Sequence, residues 1–166
     1  MVIETNRLAL RHIIEQDFKP LSELLSDPIA MEFAGGIKTE EEIHEWLSLV
    51  AKSYQTVEFG PFAVIRKESR QFLGYCGLYI QKNVDGVDEI EILYGLIRRF
   101  WGQGFAIEAA QAILEYGKNN HEIKRFVSLV EPQNKRSIRV AKRLGMKKEK
   151  QIFRWNKVFN LYSLAC

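Results

Sequence analysis

One stretch of the sequence decides the fold: Tyr94-Gly95-Leu96-Ile97-Arg98-Arg99-Phe100-Trp101-Gly102-Gln103-Gly104-Phe105-Ala106-Ile107-Glu108-Ala109. Its first residues are typical of a strand end, its middle is a glycine-spaced loop, and its last residues begin a helix on small side chains. Backbone N–H groups at a helix start lack intrahelical acceptors and lie at the positive end of the helix dipole. Gly102 and Gly104 allow the main chain to approach an anion closely, and Ala106 keeps the first turn thin. The stretch predicts a diphosphate-binding loop, although its spacing alone is equally compatible with a tight turn.

The loop does not match the two best-known phosphate motifs. It lacks the third glycine of G-x-G-x-x-G, and no Gly-Lys-Ser/Thr follows it. A dinucleotide-binding fold and a P-loop protein are therefore both disfavoured.

Outward from this loop, the hydrophobic pattern predicts one α/β domain over residues 1–166, without repeats or linkers. Strands are predicted over residues 7–13, 62–66, 72–81, 88–97, 125–130, 150–154 and 158–164. Helices are predicted over 17–25, 39–54, 102–117 and 134–144, with Asp17 capping the first helix and Thr39 and Glu42 forming a capping box on the second. The order over 88–130 requires one right-handed parallel crossover. The expected fold is a mixed, mostly antiparallel sheet of about six to seven strands flanked by helices.

Composition excludes several classes of protein. The 166 residues are 46% hydrophobic and 27% charged, which suits one folded domain and argues against global disorder. No apolar run approaches the roughly 20 residues of a transmembrane helix, and the N-terminus lacks a secretory pattern. Cys76 and Cys166 have neither metal-ligand nor redox spacing, so we expect two free thiols, a reducing cytoplasmic setting and no membrane association. The three histidines have no partner at ligand spacing, so no metal site is predicted.

The net charge of +3 hides an asymmetry along the chain. Residues 1–97 carry 9 basic and 16 acidic side chains, a net charge of −7, whereas residues 98–166 carry 15 and 5, a net charge of +10. This pattern indicates an anionic partner for the second half, such as a phosphorylated ligand, with a solvated helix face as the alternative. A nucleic-acid partner is disfavoured because no nucleic-acid-binding motif accompanies the charge.

A second motif lies downstream of the loop, at Asn134-Lys135-Arg136-Ser137-Ile138-Arg139-Val140-Ala141-Lys142-Arg143-Leu144-Gly145-Met146. The two motifs resemble those of the GNAT superfamily of acetyl-CoA-dependent N-acetyltransferases, which have the forms R/Q-G-x-G-x-A/G and N-x-x-S-x-x-V-x-x-K-L-G-F. Trp101, Arg143 and Met146 depart mildly from these forms. The start, Thr5-Asn6-Arg7-Leu8-Ala9-Leu10-Arg11, is similar to the T-x-R-L-x-L-R of the branch that acetylates the N-terminal alanine or serine of ribosomal proteins. The resemblance covers nearly the whole chain.

The resemblance implies that the strand ending near Ile97 and the strand over 125–130 splay apart and hold acetyl-CoA between them. Backbone groups of Leu96 and Ile97 would pair with the pantetheine amides as an added strand would. The loop would hold the pyrophosphate, Asn134 the cofactor arm, and two arginines the nucleotide phosphates. The implied cofactor-binding residues are Leu96, Ile97, Trp101, Gly102, Gln103, Gly104, Phe105, Ala106, Asn134, Arg139 and Arg143.

Glu91 is the general base that the resemblance implies. Acetylation of an amine needs a neutral amine, a stabilised oxyanion and a proton for the leaving thiolate. The stretch Glu91-Ile92-Leu93-Tyr94 resembles the branch's E-I-G-Y, and Leu93 in place of glycine narrows the expected acceptor pocket. The alternative is a polar strand face that Glu91 shares with Glu89.

Ser137 is the implied acid beside the thioester sulfur. A serine that hydrogen-bonds its own helix start is the alternative interpretation. Tyr162 near the end of the last strand is an alternative acid, and it equally suits the core. A backbone N–H near Leu96 would stabilise the oxyanion.

The predicted function is transfer of the acetyl group of acetyl-CoA to a primary amine. The branch implies the N-terminal α-amine of a ribosomal protein as the acceptor. A small-molecule amine, namely an amino acid, a polyamine or an aminoglycoside, is the alternative acceptor. A non-catalytic acyl-CoA-binding sensor is the rival from a different class, and the sequence leaves open whether the chain is a monomer or a homodimer.

Overall fold

Eight strands and four helices make up the protein, whose computed structural model describes residues 1–166. The strands are β1 (Val2–Glu4), β2 (Leu8–His12), β3 (Pro61–Arg66), β4 (Phe72–Val84), β5 (Val87–Leu96), β6 (Arg125–Val130), β7 (Lys147–Arg154) and β8 (Lys157–Ala165). The helices are α1 (Phe18–Leu25), α2 (Glu40–Thr56), α3 (Phe105–His121) and α4 (Lys135–Arg143). One sheet contains all the strands, in the order β1-β2-β3-β4-β5-β6-β8-β7. Only β5 and β6, which α3 connects, are parallel neighbours.

The strand absent from the sequence prediction is β1, at the edge of the sheet. It pairs antiparallel with β2, with Val2 opposite Arg11 and Glu4 opposite Ala9. Three residues are too few to show a hydrophobic period, so the strand depends on its partner rather than on a local signal. The expected count of six to seven strands is therefore low, while the mixed, mostly antiparallel sheet is confirmed.

The third helix begins later than predicted, at Phe105 instead of Gly102. Gly102 and Gly104 have φ angles of +73° and +80°, in the left-handed region that glycine enters without steric cost. Both glycines therefore belong to the loop before α3, and Gly104 is the N-cap of the helix.

The predicted caps of the first two helices have different outcomes. Thr39 and Glu42 form the predicted capping box, since each side chain accepts from the other's backbone N–H, at 3.2 and 3.3 Å. The prediction that Asp17 caps α1 is wrong. Its carboxylate accepts from both Nη atoms of Arg11, at 2.7 and 2.8 Å, and from the N–H of Ile14 at 3.0 Å. A charged partner on β2 binds this carboxylate more strongly than a helix amide does.

The helices cover opposite faces of the sheet. Trp46 of α2 packs on Tyr75 of β4, with ring centroids 5.2 Å apart. On the other face, Gly117 of α3 lies so close to β6 that an added Cβ would come within 2.8 Å of the Phe126 ring. Strand alternation and register extend these faces across the middle strands. The α2 face carries Glu91, Leu93, Leu129 and Phe159, and the α3 face carries Ile92, Tyr94, Ser128 and Tyr162.

The parallel strands β5 and β6 separate soon after they meet. Glu91 and Val127 are their only pair in register. Beyond that pair, β5 follows β4 as far as Leu96, and β6 follows β8 as far as Val130. The predicted splayed parallel pair is therefore confirmed, and its gap opens towards the loop that precedes α3.

Most buried apolar side chains form one core of 32 residues on both sides of the sheet. Cys76 lies in this core and Cys166 is exposed, and both are free thiols, as predicted. No helix combines the length and the apolar character that crossing a lipid bilayer requires.

Candidate active site

A cavity of about 940 Å³ lies in the gap between β5 and β6. Eleven of the thirteen predicted site residues line it: Glu91, Leu96, Trp101, Gly102, Gly104, Phe105, Ala106, Asn134, Ser137, Arg139 and Arg143. Ile97 and Gln103 do not line it. The two sequence motifs therefore meet at one cavity, although they lie in different parts of the chain.

Backbone amides without acceptors form one end of the cavity. The N–H groups of residues 102–104 donate to no protein acceptor, and those of residues 105–107 begin α3, where no earlier turn supplies a carbonyl. Glu108 has the first satisfied amide of the helix, which donates to the Gly104 carbonyl at 3.2 Å. A Cβ on Gly102 would meet nothing within 4 Å, so the loop is open to the cavity there. This arrangement suits an anion such as a diphosphate.

Arg7 holds the amide loop in place from the far end of the sequence. Its Nη1 donates to the Gln103 carbonyl at 2.9 Å, and its Nε donates to Glu108 at 2.6 Å. Thr5 Oγ1 also donates to Glu108, at 2.6 Å. Burial opposes ionisation of Glu108, but the hydrogen bonds from Thr5 and Arg7 outweigh it and lower its pKa. The T-x-R motif thus has a physical role that the sequence did not reveal, and Gln103 supports the loop from outside the cavity.

The basic side chains of α4 face the same cavity. Arg136, Arg139 and Arg143 all line it, and the Arg136 guanidinium lies 3.9 Å from the centroid of the Trp101 ring. The indole N–H of Trp101 donates to the Leu96 carbonyl at 2.8 Å. Trp101 therefore holds the Arg136 guanidinium against its ring, at the position where the family motif has arginine or glutamine. Arg136 is not among the predicted site residues, and the aromatic departure at Trp101 was the signal in the sequence that pointed to it.

The backbone N–H of Ile97 is not free for the contact with the cofactor that was predicted for the backbone groups of Leu96 and Ile97. The Ile97 N–H donates to the Leu73 carbonyl at 2.9 Å, which continues the pairing of β5 with β4. Backbone groups of successive strand residues point to opposite edges of the strand. The N–H of Leu96 therefore points towards β6 and the gap, as its predicted role requires.

Glu91 joins the two splayed strands. Its Oε1 accepts from the N–H of Leu129 on β6 at 3.1 Å, and its Oε2 accepts from Nε2 of Gln81 on β4 at 2.9 Å. Burial raises the pKa of the Glu91 carboxyl, and these hydrogen bonds and the charge of Arg154 offset only part of the rise. A carboxyl with a raised pKa on a cavity wall has the properties of a general base.

Glu89 lies on the same strand face but has a structural environment. Its two carboxylate oxygens accept from Arg125 at 2.9 to 3.1 Å, and the residue is only 8% exposed. Arg125 also pairs with Glu149 at 2.9 Å. Glu89 does not line the cavity, whereas Glu91 does. The two glutamates share a strand face, as predicted, but Glu89 forms an ion pair and Glu91 lies on the cavity wall.

Ser137 lies across the gap from Glu91, on the α3 face. Its Oγ accepts from the Tyr94 hydroxyl at 3.0 Å and from Nδ2 of Asn134 at 3.1 Å. Both lone-pair positions of the hydroxyl are therefore filled, and its own proton remains for donation. Burial raises the pKa of Tyr94 to about 12, so Tyr94 stays protonated at neutral pH. Tyr94 is not among the predicted site residues, although it ends the Glu91–Tyr94 motif.

The other candidates from the sequence lie outside the cavity. Tyr162 is 4% exposed and packs in the core, which removes it as an acid. None of the three histidines lines the cavity. His12 stacks on Tyr54 with ring centroids 3.8 Å apart, and His121 hydrogen-bonds Tyr116 at 2.8 Å.

An anion-binding loop at the end of a splayed parallel pair, with a carboxyl and a hydroxyl on opposite faces, suits group transfer from a phosphorylated donor. Residues 7–147 match the family model described as the acetyltransferase (GNAT) domain. YkkB of Bacillus subtilis (strain 168), itself uncharacterised, is 35% identical over 159 residues, which cover 95% of this chain and 92% of YkkB. The chain therefore belongs to the GNAT family and is an acetyltransferase, and the resemblance found in the sequence is confirmed.

Solved structures share the whole fold. A GNAT-family acetyltransferase from Bacillus anthracis is 25% identical, with a TM-score of 0.80 over 98% of this chain and 96% of that one. RimL, a ribosomal L7/L12 alpha-N-protein acetyltransferase solved in complex with coenzyme A, is 18% identical, with a TM-score of 0.82 over 99% and 98% of the two chains. At that identity, the likeness to RimL concerns the fold alone.

Proposed function

We propose that the protein transfers the acetyl group of acetyl-CoA to a primary amine. The run of amides without acceptors from Gly102 to Ile107, at the end of the gap between β5 and β6, is the observation that carries the proposal. Glu91 and Ser137 on opposite faces of that gap favour an enzyme over a sensor that only binds acyl-CoA. The motif Thr5–Arg11, which resembles that of the ribosomal-protein branch, supports the N-terminal α-amine of a ribosomal protein as the acceptor.

The residues of the cavity fit CoA from its diphosphate to its pantetheine arm. The open amides and the glycines of the loop take the diphosphate, and the three cavity arginines of α4 take further phosphate charge. The N–H of Leu96 pairs with a pantetheine carbonyl or with the acetyl oxygen. Asn134 Nδ2 donates one hydrogen to Ser137 and keeps its second hydrogen for the arm.

Glu91 prepares the acceptor. Acetyl-CoA supplies the acetyl group as a thioester, and the acceptor ammonium enters from the α2 face. Glu91 takes its proton, and the neutral nitrogen then forms a bond to the acetyl carbon. The N–H of Leu96 stabilises the negative charge on the acetyl oxygen.

Ser137 completes the reaction from the α3 face. As the carbon–sulfur bond breaks, the Ser137 hydroxyl gives its proton to the leaving sulfur. A lone serine is a weak acid, and the hydrogen bonds from Tyr94 and Asn134 stabilise charge on Oγ and make its proton more acidic. The nitrogen becomes positively charged when it forms the bond, and it loses this second proton to solvent as the carbon–sulfur bond breaks. Solvent also returns a proton to Ser137 and removes the one held by Glu91.

Acetyl-CoA should raise the melting temperature, whereas NAD and ATP should raise it much less. The reason is that the loop suits a diphosphate and the gap between β5 and β6 suits pantetheine. NAD and ATP carry phosphates but no pantetheine arm. A ligand at 100 times its dissociation constant adds about 2.7 kcal/mol to the free energy of unfolding. Thermal denaturation monitored by tryptophan fluorescence measures the shift, and no shift at millimolar acetyl-CoA would contradict the assignment of the loop.

Ser137→Ala should lower turnover by about 10²–10⁴-fold, the range of general acid–base contributions. Tyr94→Phe should lower it by about fivefold to tenfold, since it removes one hydrogen bond of about 1 kcal/mol to the serine. Steady-state rates with saturating acceptor measure both losses, which should not shrink as pH rises. Ser128→Ala is the control, because Ser128 also lines the cavity on the α3 face. Turnover of Ser137→Ala within about threefold of wild type would leave the serine only a structural role, as the partner of the Tyr94 and Asn134 side chains.

A further inference from the structure

Apolar and aromatic side chains wall the half of the cavity on the α2 face, where the acceptor binds in the proposed function. They come from the connection between α1 and α2, from the middle strands and from the β7–β8 turn: Ile29, Phe33, Tyr75, Leu93, Trp155 and Phe159. Trp155 and Phe159 contact edge to face, with ring centroids 5.6 Å apart. The half of the cavity on the α2 face thus offers flat, apolar contact surfaces.

The charges in this half are few and nearly balanced. Glu131 pairs with Lys157 at 3.2 Å, and the Arg154 guanidinium lies 4.5 Å from the centroid of the Trp155 ring. Glu91 is bound by neutral donors only, the amide of Gln81 and the N–H of Leu129. The site therefore offers one carboxylate to one ammonium. A second ammonium would find no unpaired carboxylate, because Glu131, the other acidic side chain of the cavity, already pairs with Lys157.

Two of the apolar side chains are exposed at the rim. Trp155 is 60% exposed and Ile29 is 48% exposed, although both are large and hydrophobic. Exposed apolar side chains at the mouth of a cavity are typical of a surface that a ligand covers. They extend the apolar wall outwards from Glu91.

We propose that the acceptor is a monoamine with a large apolar or aromatic group next to its primary amine. A small aromatic amine and a peptide with an apolar first side chain share this chemistry. Polyamines and aminoglycosides, which carry several ammonium groups, are poor acceptors. This inference rests on the proposed function and narrows its substrate class.

The specificity constant kcat/KM for a panel of acceptors tests the inference. The panel holds phenethylamine, two peptides that differ only in an N-terminal phenylalanine or glycine, spermidine and kanamycin, each with saturating acetyl-CoA. The peptide that begins with phenylalanine should exceed its glycine partner by at least about 10-fold to 200-fold, the range that a single methylene in an apolar pocket already gives. Both aromatic acceptors should exceed spermidine and kanamycin. The panel also distinguishes a small aromatic amine from a peptide as the acceptor. Phenethylamine has the aromatic group and the primary amine of the phenylalanine peptide but lacks the peptide chain.

Trp155→Asn should remove most of the preference for phenylalanine over glycine. Trp155 has a φ of +52°, and asparagine tolerates this left-handed region, so the turn is kept. Phe153→Asn is the matched control, because Phe153 is 72% exposed on the same hairpin and does not line the cavity. The shift of melting temperature with acetyl-CoA confirms that both variants are folded.

Three results overturn the inference. Spermidine or kanamycin with the highest kcat/KM would contradict the single-ammonium site. A preference for phenylalanine that survives Trp155→Asn within about threefold would contradict the apolar wall. Turnover of no acceptor at all, with acetyl-CoA bound, would overturn the proposed function and the inference with it, and this result is distinct from the other two.

Discussion

Glu91→Gln should lower acetyl transfer by about 10²–10⁴-fold at neutral pH, the usual range for loss of a general base. The fold and the affinity for acetyl-CoA should remain, because the side chains have nearly the same shape and an amide oxygen can still accept from the Leu129 N–H. The loss should shrink as pH approaches the pKa of the amine, since solvent then supplies the neutral nucleophile. Steady-state rates with saturating acceptor, measured as a function of pH, check both expectations.

Glu89→Gln is the matched control for this substitution. It changes the same residue type on the same strand face, but it weakens the ion pair with Arg125 and leaves the cavity intact. We expect lower stability and nearly unchanged turnover of the folded protein. If Glu91→Gln keeps turnover within about threefold at neutral pH, Glu91 is not the base. Attack by the fraction of amine that is already neutral, positioned by the cavity, then explains the reaction better.

The raised pKa of Glu91 has its own consequence for stability. Between the ordinary pKa of a glutamate and the raised value, the folded state binds more protons than the unfolded state. The contribution of Glu91 to stability is therefore largest at low pH and falls as pH rises through that window. Glu91→Gln removes this dependence, and urea denaturation over the acidic pH range measures the difference between the two proteins.

Gly104→Val should reduce the affinity for acetyl-CoA by about 10²-fold or more. Valine is strained at a φ of +80°, and its Cβ would lie 3.3 Å from Nη2 of Arg7, which holds the loop. The valine side chain would therefore displace Arg7, which binds the Gln103 carbonyl and holds the loop. The backbone N–H groups of the loop would then no longer be aligned to bind the diphosphate. Each hydrogen bond to a charged group contributes about 1.5–3 kcal/mol, so disturbing two of them gives a loss of this size. Isothermal titration calorimetry with acetyl-CoA measures it.

Gly86→Val separates cofactor binding from backbone strain. Gly86 has a φ of +89° in the turn between β4 and β5, and a Cβ there would meet nothing within 4 Å. The two variants carry similar strain, but Gly86 does not line the cavity. Gly86→Val should bind acetyl-CoA as wild type does. Equal affinity for acetyl-CoA in a folded Gly104→Val variant would mean that the helix start is only a turn.

The central layout of the site follows from local signals in the sequence. Gly102 and Gly104 mark the loop, Asn134 and Ser137 mark the next helix start, and the strand–helix–strand order between them predicts the parallel pair. Glycine dihedrals and helix ends act over a few residues, and crossover handedness acts within one strand–helix–strand unit. For this reason the cavity contains most of the residues predicted for it.

The missed features depend on contacts between distant parts of the chain. Arg7 and Glu108 lie 101 residues apart, and their pairing shows only once the loop is packed against β2. The Asp17 carboxylate likewise binds Arg11 on β2 instead of capping α1, and this contact depends on how α1 packs against β2. The engagement of the Ile97 N–H with Leu73 has a different origin: the sequence predicts the strand, but the direction of each N–H depends on its pairing with β4. Tyr94 required the position of Ser137 before its role was visible.

The most direct test is to incubate the wild-type protein with acetyl-CoA and representatives of each amine class: N-terminal peptides, amino-acid amides, polyamines and aminoglycosides. Mass spectrometry follows the amine while a thiol reagent follows free CoA. The proposed function predicts that at least one amine gains one acetyl group for each CoA released, at a rate that Glu91→Gln lowers by about 10²-fold or more. Bound acetyl-CoA with no acetylated amine and no CoA release above the level of a reaction without protein would contradict it.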